Sequence, residues 1–263
     1  MNEKILNQIK SLPPLPKSVL EIQRITNDPN SSIQDLIKVV KEDPMLTANL
    51  LKAANSPLYG FTRQIKNVDQ AVSLFGMSTV KGFAISFAIR NSLKFDLSAY
   101  GISETKFHDV SSQRNIVAIN WFKKDRNKLD VMATNSFLID LGAVVISLIL
   151  NNEGKSESFK HRLLSGEDRD ALEKEYVGAT TTEVTTEIFK HWNFSDDLIE
   201  SMKNINNPHG EYKIESAALS VLKVLIDLIK PYNEENEKQA FEIAQKYGLD
   251  TDALQVAVEL IKG

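Results

Sequence analysis

Apolar residues recur at helical intervals along almost the whole chain. Ile33, Leu36, Ile37 and Val40 fall at i, i+3, i+4 and i+7, which places four side chains on one face of a helix. Ser32 precedes that run and Asp35 follows it by three, an N-cap with an acid in the first turn. Asp43-Pro44 closes this helix and opens the next, with Asp as N-cap and Pro at the first helical position. Leu46, Leu50, Ala53 and Ala54 form the buried face of that second helix, and Asn55-Ser56-Pro57 ends it. The same period predicts helices over Ser78–Arg90, Phe107–Lys124, Val131–Leu150, Thr181–Trp192, Asp196–Lys203 and Glu215–Lys230, the last stopped by Pro231. Two short helices close the chain, one ended by Gly248 and one begun near Asp252. Glu153–Glu175 is charge-dense and reads as a solvated loop with one short helix. No segment alternates like a strand and no repeat is visible. The pattern predicts an all-α protein in two lobes, residues 1–97 and 98–263, parted at the polar stretch Asp96–Ser103 around Gly101.

Composition narrows the chemistry. The 263 residues suffice for one large domain or two small ones. The absence of cysteine excludes disulfides, a thiol nucleophile and any thiolate metal site. Met1–Pro16 has no apolar core of a signal peptide, and the longest apolar run, Leu141–Leu150, has ten residues against the ~20 of a membrane span. A cytoplasmic protein without a membrane role is the expectation. Net charge is −4, distributed as +5 over residues 1–95 and −9 over the rest. No Arg/Lys cluster interleaves with aromatics, so nucleic-acid binding is not expected of the basic half.

Several reaction classes lack their motifs. The closest glycines, Gly76 and Gly82, are too far apart for a dinucleotide or phosphate loop, and no G-x-S-x-G elbow occurs. None of His108, His161, His191 and His209 lies four residues from another, so no helix presents a two-histidine metal face. His108-Asp109 reads either as a ligand beside a carboxylate or as a helix with Asp109 as a first-turn acid.

Four motifs in order carry a resemblance. Leu12-Pro13-Pro14-Leu15-Pro16, then Asp43-Pro44-Met45-Leu46-Thr47, then Leu51 through Gly60 (Leu-Lys-Ala-Ala-Asn-Ser-Pro-Leu-Tyr-Gly), then Val68–Met77 with Leu74-Phe75-Gly76-Met77 resemble the HDOD family of bacterial signalling proteins over roughly residues 10 to 90. Asn55 and Tyr59 within these motifs read either as architecture or as part of a binding surface. The C-terminal half resembles the HD phosphohydrolase scaffold with its ligands replaced. Where an HD helix carries its His-Asp pair, this chain has Ile139-Asp140; where later histidines stand, it has Thr181, Ile205 and Asn206. The final aspartate falls on Asp227, and the first histidine falls near Ser111, with His108 close enough for the alignment to slip onto it. Ile139 and Ile205 offer no lone pair, and Asp140, Asp227 and a slipped His108 are too few for a two-metal cage. Asp140, among apolar neighbours, needs a partner, expected at a helix terminus or a threonine.

The resemblance therefore implies a non-catalytic regulator. It would have no catalytic residue, metal or cofactor and would act through signalling proteins supplied in trans, with homo-oligomers open. Chain length leaves no room for a receiver or cyclase domain, so the resemblance implies a stand-alone HDOD protein. The competing implication is a metal-dependent phosphohydrolase with an atypical ligand set. A nucleic-acid module using the +5 half is a third.

Overall fold

Caps and breakers set the helix boundaries in the computed structural model, which describes residues 2–59, 63–92, 96–230 and 232–262. The first four helices are α1 (Glu3–Lys10), α2 (Lys17–Asn27), α3 (Ile33–Glu42) and α4 (Pro44–Ala54). Ser32 caps α3 in a reciprocal box with Asp35, and Asp43 Oδ1 accepts from Leu46 N at 2.9 Å to start α4. The next element, α5 (Val68–Ser92), is interrupted at Gly76, whose φ of 75° and ψ of 169° lie in a region essentially reserved for glycine.

The larger remainder comprises α6 (Glu104–Trp121), α7 (Arg126–Leu138), α8 (Leu141–Asn152), α9 (Ser156–Leu164) and α10 (Arg169–Val177). It closes with α11 (Thr181–His191), α12 (Asp196–Lys203), α13 (Lys213–Leu225), α14 (Glu234–Lys246) and α15 (Thr251–Lys262). Among the described residues there is no strand, and the protein is all-α. Val68–Ile89 and Asn127–Asn152 are apolar and long enough to cross a membrane, yet 61% and 94% of their apolar windows are buried in this core.

Helix α5 joins the two halves. It packs on α2, α3 and α4 on one side and on α7 on the other. A Cβ built on Gly82 would stand 2.5 Å from the Ala133 carbonyl oxygen, so only glycine permits this approach of α5 to α7. Gly142 has the same role between α8 and α11, where a Cβ would collide with Thr181 backbone. Buried apolar side chains form one contiguous core through both halves.

Four sequence expectations change. The single helix over Val131–Leu150 divides into α7 and α8, because Asp140 leaves helical geometry (φ −103°, ψ 18°) and Gly142 N donates to Thr185 Oγ1 at 2.8 Å. Glu153–Glu175 is not loop with one helix: it forms α9 and α10. Its charges pair outward, Lys160 with Glu157 and Arg162 with Glu167 and Glu175, while Phe159, Leu163, Leu172 and Val177 turn into the core. The helix expected to reach Lys230 stops at Leu225, where Asp227 Oδ1 accepts from Ile229 N and Lys230 N at 2.8 and 2.7 Å in a turn. Pro231, the expected stop, lies outside the described residues. Helix α1, from the N-terminal stretch, packs on α8 and α11; Asn2 Nδ2 donates to Val177 O at 2.8 Å. Finally, α6 begins at Glu104, so Glu104 and not Asp109 is its first-turn acid.

Candidate functional site

The break between α7 and α8 aims the Asp140 carboxylate into the core, and α6 answers it with arginine. Val110, Arg114, Val117 and Trp121 share the inward face of α6, so the Arg114 side chain is only 1% exposed. Its Nη1 donates to Asp140 Oδ2 at 2.6 Å, and its Nε donates to the Ile226 carbonyl at 2.9 Å. From the first turn of α10, Arg169 brings Nη2 to 3.1 Å from Asp140 Oδ1. Two guanidiniums thus flank one buried carboxylate. Burial pushes the Asp140 carboxyl up, but Arg114, Arg169 and Lys223 together outweigh it and hold the group well below the usual range.

A second carboxylate lies beside this group. Glu173, fully buried one turn along α10, accepts from Tyr100 OH at 2.8 Å and Thr181 Oγ1 at 2.7 Å, and also from Thr181 N. Burial raises its pKa, against the opposing pull of Arg169 and these donors. At the outer edge, Lys223 Nζ donates to Asn206 Oδ1 at 3.1 Å, and Asn206 Nδ2 donates to Asp170 Oδ2 at 2.9 Å. Burial and the neighbouring Arg169 lower the Lys223 pKa.

The expected HD positions scatter around this cluster. Ile139 and Ile205 are buried apolar residues, 1% and 0% exposed. Thr181 serves Glu173, Asn206 bridges Asp170 and Lys223 at the surface, and Asp227 caps its own turn. Ser111 is turned toward a different cavity; the α6 residue that meets Asp140 is Arg114, three positions on. His108 also lines that other cavity, with Nε2 at 3.3 Å from Glu104 Oε1. The partners of Asp140 are arginines, not the helix terminus or threonine expected from sequence. Arg114 had a sequence signal, a charge at an inward position of an apolar stripe; Arg169 had none within its charge-dense segment. A divalent cation does not fit these residues, because both Asp140 oxygens face guanidinium nitrogens and the flanking positions carry alkyl side chains.

The other cavity, of about 380 Å³, opens where α4 and α5 meet α6 and α7. Phe83 and Phe87 stack on its wall at 5.5 Å between centroids and 15° between planes, with Tyr59 edge-on to Phe83 at 5.6 Å. Tyr59 OH reaches Asn115 Oδ1 at 3.4 Å, and burial raises its pKa beyond the phenol range. Asn55 clasps the chain leading here: its Nδ2 donates to the Leu51 and Ile65 carbonyls, and its Oδ1 accepts from Ile65 N at 2.9 Å. Asn55 is architecture, then, and Tyr59 lines a cavity.

The HDOD domain family matches residues 12–208, and the chain belongs to that family. A solved structure of a virulence factor from Campylobacter jejuni subsp. jejuni is 27% identical, covers 98% of this chain and 97% of its own, and superimposes with a TM-score of 0.61. An HDOD domain protein of unknown function from Geobacter sulfurreducens is 19% identical (96% and 89% covered, TM-score 0.69). A protein from Shewanella amazonensis SB2B, provisionally described as a phosphohydrolase, is 23% identical (99% and 94% covered, TM-score 0.73). These last two likenesses are of fold. An uncharacterized curated protein from Treponema pallidum (strain Nichols) matches at 29% identity over 82 residues, 31% of this chain and 16% of that one.

Proposed function

We propose that this HDOD protein is a non-catalytic regulatory module that acts in the cytoplasm through contacts with signalling proteins in trans. One observation carries the reading: Asp140, which the resemblance sets at the HD aspartate, is neutralised by Arg114 and Arg169. A hydrolytic centre needs a carboxylate with lone pairs free for a cation that activates water. Here the positive charge is supplied by the chain itself, in a salt-bridged group whose removal would open the core. The lobes joined through α5 and α7 supply a rigid body for partner contact.

Metal analysis of the purified protein, with bis(4-nitrophenyl) phosphate turnover in added Mn²⁺, tests this reading. The expected result is no stoichiometric metal, no turnover, and a melting temperature unchanged by EDTA. Stoichiometric Mn, Fe, Zn or Ni with phosphodiester turnover would establish the phosphohydrolase instead.

A further inference from the structure

The cavity between α4, α5, α6 and α7 shares no lining residue with the Asp140 cluster, and neither the family nor the regulatory reading assigns it a role. Its walls divide by chemistry. One side is aromatic: stacked Phe83 and Phe87, Tyr59 edge-on, and Phe137, whose ring lies 5.0 Å from Phe83. Hydroxyl-bearing residues complete the lining, Ser111 and Ser112 from α6 and Ser86 from α5. At the rim stands Lys52, exposed and without an ion-pair partner among the described residues. Protein interiors leave few voids larger than a water, and 380 Å³ lies within the ~300–1,000 Å³ of small-molecule sites.

We propose that this cavity binds a small planar aromatic anion, one or two fused rings bearing a carboxylate, sulfate or phosphate. The ring plane lies against Phe83 and Phe87, where offset or edge contacts between aromatic faces are favourable. Serine hydroxyls, each able to donate or accept, meet heteroatoms on the ring edge. The anionic group points outward to the Lys52 ammonium. The volume lies near the lower end of that range and suits a one- or two-ring ligand. Since α4 and α5 come from one half and α6 and α7 from the other, a ligand here touches both sides of the α5–α7 contact. Occupancy would therefore bias the packing of the two halves, and it would do so whether or not the protein hydrolyses phosphoesters.

Three probes separate the contributions: 2-naphthoate, naphthalene-2-carboxamide and cyclohexanecarboxylate, titrated into the full chain by calorimetry with amide chemical shifts read in parallel. The expected result is saturable 1:1 binding of 2-naphthoate with shifts at Phe87 and Ser112, and affinity for cyclohexanecarboxylate weaker by about tenfold. Ser112→Phe, which fills the cavity, should abolish binding. Lys52→Glu, on the surface and harmless to folding, should weaken 2-naphthoate by about twofold to fivefold and leave the carboxamide unchanged. No saturable binding of any probe, or binding indifferent to both variants, overturns the proposal. Equal affinity for the carboxamide, with Lys52→Glu silent, overturns the anionic assignment; equal affinity for cyclohexanecarboxylate overturns the aromatic one.

Discussion

The Asp140 cluster and the α4–α7 cavity lie on the same helix, α6, three residues apart, and have opposite characters. Arg114 turns into a closed group in which two guanidiniums face one carboxylate, whereas Ser111 turns toward an open space lined by rings and hydroxyls. In the first, opposite charges pair and hold helices together, with Arg114 Nη2, Asp140 Oδ1 and Arg169 Nη1 left buried without a hydrogen bond among the described residues. In the second, polar groups are left facing room for something else. Unfilled volume lies at the α4–α7 cavity and not at the salt-bridged carboxylate.

Asp140→Leu should have the largest effect on that contrast. It leaves Arg114 and Arg169 buried without their counter-charge, and urea denaturation should report a loss of about 3–5 kcal/mol. A loss below about 1 kcal/mol would mean the cluster is hydrated and open, and the two regions would no longer differ in kind. Gly82→Ala should follow, at about 1–3 kcal/mol, because its methyl must push α7 away at Ala133. Asn55→Ala should cost about 1–3 kcal/mol by leaving the Ile65 amide and carbonyl without their clasp.

Acid titration distinguishes the two carboxylates of the cluster by sign. Asp140 is held low in the fold, so its contribution is complete above the ordinary aspartate value of about 3.9 and is lost as pH falls below it. The melting temperature of Asp140→Asn should therefore approach that of the parent as pH drops from about 4 to 2. Glu173 is raised, so its contribution is complete below about 4.3 and fades as pH rises through its higher folded value. Glu173→Gln should gain on the parent over that rise. The smallest effect is expected in the cavity: Ser86→Ala removes a partly exposed hydroxyl and should change stability by no more than about 0.5 kcal/mol.

Helix α3 was fully legible because its cap, acid and apolar stripe agree, and α12 was placed at Asp196–Lys203 from its helical period. Where local and tertiary signals diverge, the reading failed. Val131–Leu150 is apolar enough to be one helix, and its break at Asp140 accompanies tertiary bonds that no local pattern announces, Gly142 N to Thr185 and Arg114 to Asp140. Arg162 looked like part of a solvated stretch because its partners Glu167 and Glu175 are meaningful only once α9 and α10 fold back on each other. That Asp140 would meet Arg114 and Arg169 was not visible in the sequence. A helix periodicity says that Arg114 faces inward; it does not say which charge waits there.

The packing of α1 has a consequence for the order of assembly. Asn2 bonds to Val177 across 175 residues, and Ile5 and Ile9 are buried against helices made much later. On a ribosome adding ~5–20 residues per second, α1 must wait roughly 10–35 s for the surface that receives it. During that interval Ile5 and Ile9 are bare, and α2 to α5 can pack without them. The beginning of the chain is therefore among the last parts of the fold to dock, and a nascent chain halted before Val177 carries an apolar helix with nowhere to go.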